Sequence, residues 1–117
     1  MATLDAYIAK RNVNFNLLMG NQINDITFTI LDSNGDAFDF TGYSEITIRI
    51  YDNRSSRRTL IDTMTETLGD LTLSVNVIIW DTAFPSGMTF GKYNYELDYT
   101  NADDEPIRLA EGYLNVI

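Results

Sequence analysis

The chain has 117 residues, 44% of them apolar, and 8 basic against 17 acidic side chains give a net charge of −9. That is one domain of ordinary globular composition, long enough to bury a core without cross-links. Cysteine and histidine are both absent, which excludes disulfide frameworks, thiolate or histidine metal sites, cysteine nucleophiles and Ser-His-Asp triads.

The acidic balance argues against nucleic acid or an anionic membrane as a partner, since both demand clustered lysine and arginine. No apolar run reaches the length of a membrane span, and no apolar signal core precedes a small-residue cleavage site. The expectation is a soluble protein that no signal of its own exports.

Residues 1–11 differ in pattern from the rest of the chain. Leu4, Tyr7 and Ile8 sit at a spacing that one or two helical turns would gather into a small apolar stripe. The segment reads as a frayed terminus, or as a short helix or arm that orders against a partner or the domain's own edge.

Residues 12–117 read as successive strands. Val13, Phe15 and Leu17 alternate with asparagines up to Gly20, and Ile26, Phe28 and Ile30 alternate with Thr27 and Thr29. Asp32-Ser33-Asn34-Gly35-Asp36 is a turn, because Asn and Gly both tolerate positive φ. A short piece with Phe38 and Phe40 on one face stops at Thr41-Gly42, and Ile46, Ile48 and Ile50 mark a β-branched strand. After a polar loop over 53–58, a weaker strand runs from Thr59 to Thr65 with Leu60 and Met64 inward. A long strand is expected from Leu71 to Ile79, with Leu71, Leu73, Val75, Val77 and Ile79 on the core face.

Pro85 takes residues 80–87 out of any central strand. Tyr93, Tyr95, Leu97 and Tyr99 then alternate strictly with Lys92, Asn94, Glu96, Asp98 and Thr100: one face belongs in a core and the other in water. In the last strand Ile107 and Leu109 share a phase that Leu114 and Val116 reverse, which calls for a β-bulge, expected at Glu111-Gly112. Seven to eight short strands without a crossover helix predict an all-β fold, an antiparallel sandwich or a small barrel, and not a parallel-sheet protein.

The candidate chemistry is thin. Asp32, Asn34 and Asp36 resemble a fragment of a calcium loop, but the closing bidentate glutamate is missing, and a hairpin turn fits better. Asp103, Asp104 and Glu105 read as a solvated turn, because catalytic carboxylates must face one another across a cleft. Arg54, Arg57 and Arg58 form the basic cluster, a mobile loop or an electrostatic docking point. Trp80 and Phe84, beside Phe90, are either core plugs or the aromatic anchors of an interface or sugar platform. No cofactor is expected, and a carboxylate-dependent hydrolase is the remotest reading.

MGNQINDITFTILDSNGDAFDFTGYSEITIRIYD resembles the opening of immunoglobulin-like modules of tailed-phage virions, known from the N-terminal domain of baseplate upper proteins. The shared order is Gly20, Asp32 with Gly35, Phe38 to Phe40, Thr41-Gly42 and Ile46 to Ile50. It continues through Gly91 to Leu97 (GKYNYEL) and Leu109 to Val116 (LAEGYLNV). In baseplate upper proteins the module is one part of a longer chain, so capsid, head-fibre, tail and adaptor positions are equally implied. The resemblance implies an immunoglobulin-like β-sandwich and a non-enzymatic virion component, made in the host cytoplasm. Its partners would be other virion proteins or itself, in a homo-oligomer. A carbohydrate-binding module at the host surface, using Trp80 and exposed tyrosines, is the alternative. On these readings the contact residues are Leu4, Tyr7, Ile8, Arg54, Arg57, Arg58, Trp80 and Phe84.

Overall fold

The computed structural model describes residues 2–8, 13–17, 23–52, 58–80 and 91–116, and for residues 2–8, 17 and 23–25 the backbone only. Arg54, Arg57, Phe84 and the rest of residues 81–87 therefore lie outside the described residues, as do the side chains of Leu4, Tyr7 and Ile8. Nine strands are present among the described residues, more than the seven or eight expected: β1 (Ala2–Ile8), β2 (Phe15–Leu17), β3 (Ile23–Ile30), β4 (Glu45–Asp52), β5 (Thr59–Thr65), β6 (Leu71–Ser74), β7 (Val77–Trp80), β8 (Gly91–Thr100) and β9 (Pro106–Val116).

They form two sheets, one ordered β1-β3-β7-β6 and the other β2-β9-β8-β4-β5. The strand order is that of an immunoglobulin-like sandwich: β3, β7 and β6 stand as B, E and D, and β9, β8 and β4 as G, F and C, with β5 beyond C, while β1 takes the place of A but runs parallel to β3 instead of antiparallel. The core lies between the sheets. Ile26, Phe28, Ile30, Ile78 and Trp80 from the first meet Phe15, Ile46, Ile48, Ile50, Tyr93, Tyr95, Leu97 and Leu114 from the second. Phe15 meets Phe28 edge-on at 5.6 Å, and Tyr95 leans on both rings. The Tyr93–Tyr99 alternation is realised at Tyr93, Tyr95 and Leu97, which are fully buried, and Tyr99 packs partly buried against the core, but Asp98, expected in water, is buried.

Several expectations need correction, among them that Trp80 lies outside any central strand: it is the last residue of β7, which pairs with β3 on one side and β6 on the other. Residues 2–8 are not the short helix but the alternative, an arm ordered on the domain's own edge: β1 pairs parallel with β3, from Ala2↔Ile23 to Ile8↔Ile30. The strand expected from Leu71 to Ile79 is a hairpin that reverses at Val75-Asn76. Val75 takes φ 56°, stands 81% exposed, and does not face the core. Beyond this turn the inward set changes parity to Ile78 and Trp80, which lie opposite Leu73 and Leu71. Asn76 ties the reversal to β3: its side-chain amide donates to Ile30 O at 2.9 Å, and its carbonyl accepts from Ile30 N.

Met64 is buried as expected, but Leu60 is not. The β4–β5 register slips between Ile50 and Tyr51, Ile61 is the extra residue, and Leu60 lands opposite Tyr51, 50% exposed. A one-residue slip moves a side chain to the opposite face. The bulge in β9 exists but lies earlier than Glu111-Gly112. Leu97 pairs with Ala110 and Asp98 with Arg108, so Leu109 is the inserted residue, and Ile107 is exposed while Leu109 and Ala110 are buried.

Both acidic loops are tight turns of one design. In the first, Asp32 Oδ1 accepts the amides of Asn34 and Asp36, Asp32 O accepts Gly35 N, and Asp32 N donates to Asp36 O. In the second, Asn101 makes the same four bonds with Asp103, Glu105 and Asp104. The left-handed position holds Gly35 (φ 84°) in one and Asp104 (φ 64°) in the other. A left-handed L-residue costs roughly 1–2 kcal/mol. Asp104→Gly should therefore stabilise the fold by about 1 kcal/mol, read as a raised urea midpoint at unchanged slope.

Candidate docking surface

The outward face of the five-stranded sheet carries a ladder of charges built by strand register. Glu96 and Asp98 occupy outward positions of β8, and Arg49 lies opposite Glu96 on β4. The Leu109 bulge brings Arg108 of β9 opposite Asp98; an unbroken register would have put Leu109 there. Arg49 Nη1 reaches Asp98 Oδ2 at 3.2 Å, while Arg108 Nε donates to the other carboxylate oxygen. Asp98 is only 6% exposed, a position a carboxylate tolerates when both oxygens are paired. Arg108 continues to Glu96 at 3.3 Å and to Glu111 at 3.6 Å. The Arg108 guanidinium is pushed down by burial, but the hydrogen bond and charge of Asp98 outweigh this and raise it.

Arg58 closes the ladder. Its Nη2 donates to Glu96 Oε2 at 2.8 Å, and its guanidinium lies over the Tyr51 ring at 3.7 Å. Burial pushes Glu96 up, but the Arg58 hydrogen bond, the Arg108 and Arg58 charges and the Tyr51 hydroxyl outweigh it, so its carboxyl titrates below the usual range. Burial, followed by the Glu96 charge, raises Tyr51.

A carboxyl depressed in the folded state contributes stability above its unfolded value of about 4.3, lost as pH falls through that range. The Tm difference between the parent and Glu96→Gln should therefore be largest above about pH 5 and close towards about pH 3, in thermal scans at matched ionic strength.

Beside the ladder runs a groove of about 430 Å³, lined by Asn14, Asn94, Glu96, Glu111 and Tyr113 with Arg58 at one side. Lys92 lies over the Tyr113 ring at 4.4 Å. Tyr113 is the exposed aromatic of this face. The floor is a junction with the segment leading into β2. Val13 N donates to Glu111 O, Tyr95 Oη donates to Val13 O at 2.7 Å, and Asn14 Oδ1 accepts Tyr113 N. Burial holds the Tyr95 hydroxyl well above the usual tyrosine range.

Of the residues expected at a contact surface, Arg58 is on this face. Trp80 is not: it is 2% exposed, inside the core opposite Leu71 and Ile26. The sugar platform expected at Trp80 is therefore corrected, because an indole in the core offers no face to a ligand. Arg49, Tyr51, Glu96, Asp98 and Arg108 went unrecognised in the sequence. Their one signal is opposite charge at outward positions of separate strands, which gains meaning only once register is known.

Three or more metal-ligating side chains do not cluster among the described residues. No helix among them is long and apolar enough to cross a membrane.

No family model matches this chain. No curated protein matches it. Among solved structures, one described as murine CRIg aligns over 92% of this chain and 93% of its own, at 13% identity and a TM-score of 0.37.

Proposed function

We propose that this protein is a non-enzymatic structural component of a tailed-phage virion, acting by docking to other virion proteins or to its own copies. The virion assignment rests on the sequence resemblance along Gly20 to Ile50 and Gly91 to Val116. The docking role rests chiefly on the outward face of β4, β8 and β9, where arginine and tyrosine side chains are held in place by paired carboxylates. Arginine and tyrosine are the residues that anchor protein interfaces, and side chains already ordered lose little entropy on binding. The sheet edges add backbone donors and acceptors that another strand can pair with.

A mass-spectrometric inventory of purified phage particles tests the assignment. The chain is expected in stoichiometric amount in washed particles. Absence from particles whose other components are recovered overturns it. A glycan array separates the carbohydrate-binding alternative: reproducible binding lost on Tyr113→Ala would favour that reading, through the groove instead of Trp80.

A further inference from the structure

We propose that the open edge of β6 takes an extended, basic segment of another protein as an added strand, with an apolar side chain of that segment seated in the groove beside it. The inference rests on the docking role above and names the edge used and the chemistry of the partner.

Edge strands invite pairing unless something blunts them. β5 and β6 follow one another in the chain, and each ends its sheet. β5 is blunted twice. It carries the extra residue Ile61, and Asp62 pairs with Ile50, so its carboxylate shares the inward face of the sheet. Bulges and inward-pointing charges both discourage a further strand. β6, Leu71-Thr72-Leu73-Ser74, has neither: its pairing with β7 is unbroken, and it contains no charge and no proline. No described strand lies on its other side.

The hairpin sets which backbone groups face outward. Only Val75 and Asn76 join β6 to β7, so Ser74 and Val77 are the hydrogen-bonded pair that closes the turn. Bonded and non-bonded pairs alternate along an antiparallel ladder. Thr72 therefore also bonds to Ile79, and the amides and carbonyls of Leu71 and Leu73 point to the open edge. In a strand laid there, the residues opposite Leu71 and Leu73 share their face, towards the space between the sheets.

A groove of about 400 Å³ receives side chains on that face, lined by Phe38, Phe40, Tyr43, Leu73 and Val75. Val75 at 81% and Leu68 at 70% are the most exposed large apolar side chains among the described residues, and they bracket β6 in the chain. Apolar surface of this kind at an unblunted edge marks a contact site.

Charge decides the partner. Asp39 lines the groove, Glu66 accepts the Tyr43 hydroxyl on its carboxylate, and Asp70 stands immediately before β6. The described cations Arg49, Arg58, Lys92 and Arg108 belong to the outward face of the other sheet. A second copy would set one acidic rim against another in a chain of net charge −9, which disfavours self-pairing. A segment that alternates apolar residues with lysine or arginine matches the edge in both charge and period.

The probe is a fluorescently labelled peptide that alternates valine with lysine, titrated by anisotropy against its valine–glutamate counterpart. The lysine peptide is expected to bind, more weakly as salt rises, and the glutamate peptide is not. Val75→Lys, at an exposed position, should weaken binding roughly tenfold, as should Asp39→Asn combined with Asp70→Asn. Asparagine at 39 keeps the oxygen that accepts from Thr41. Hydrogen exchange reads the added strand itself: at saturating peptide the Leu71 and Leu73 amides slow, and that of Thr72 changes least. No binding, unchanged affinity in these variants, or unchanged exchange at Leu71 and Leu73 overturns the proposal. So does binding lost on Tyr113→Ala, which puts the peptide on the charge ladder. A dimer without peptide, with Leu71 and Leu73 protected, makes the occupant a second copy and overturns the basic partner. Failure here with the chain present in washed particles leaves the docking role standing at another surface. A bound peptide with the chain missing from particles removes the virion role and leaves the edge.

Discussion

Gly112→Ala should cost about 3 kcal/mol, lowering the urea midpoint by about 2 M at a slope of about 1.5 kcal/mol/M. A Cβ built at Gly112 would stand 2.0 Å from Val13 O, 2.8 Å from Val13 C and 2.8 Å from Asn14 Oδ1. The nearest obstacle is main chain, so no side-chain rotation relieves it. The segment before β2 must lift away. Three hydrogen bonds meet there: Val13 N to Glu111 O, Tyr95 Oη to Val13 O, and Tyr113 N to Asn14 Oδ1. Each contributes about 1 kcal/mol net, and lifting the segment also loosens Phe15 from Phe28 and Tyr95. Tyr95→Phe removes one of the same bonds, so the double variant should lose less than the sum of the two singles. Full additivity would show that the clash is absorbed elsewhere.

Ile48→Asp should abolish folding, whereas Val75→Asp should leave it nearly untouched. Ile48 is fully buried at the centre of β4, between Met64 of β5 and Leu97 of β8. The cations of this sheet are on the other face, so a carboxylate at position 48 has no partner and costs several kcal/mol or more. A domain stabilised by about 5–15 kcal/mol has little reserve against that. At Val75 the same change meets solvent. The side chain is on a two-residue turn with positive φ, a conformation aspartate accepts better than a β-branched residue does. Circular dichroism melts of both variants decide the matter. A cooperative, parent-like melt for Ile48→Asp would mean that the face of β4 is wrongly assigned, and a collapsed Val75→Asp would put that residue in the core.

These two aspartate variants also mark where periodicity could be read and where it could not. The Ile46–Ile50 and Tyr93–Leu97 alternations run unbroken through central strands, and their buried faces follow from side-chain period alone. Leu71 to Ile79 shows the same alternation, yet it contains a reversal. Val75-Asn76 lacks glycine, and its turn is secured from outside by Ile30. No local signal announces a contact with a residue 46 positions away. The bulge in β9 was legible as a parity break, but its position depends on how β8 pairs with it.

By itself the sequence determined the class of fold, the inward faces of β3, β4 and β8, the turns at Asp32–Asp36 and Asn101–Glu105, and the exclusion of cysteine and histidine chemistry. Those features are local: a two-residue period, a residue that accepts positive φ, a side-chain type that is absent. Tertiary structure decided the rest. The charge ladder depends on three strands being in register, and Trp80 is buried because β7 lies between β3 and β6. Gly112 must lack a side chain because Val13 crosses it, and β1 lies along β3 by pairing two segments some twenty residues apart. Partners distant in sequence leave no mark on either stretch read alone.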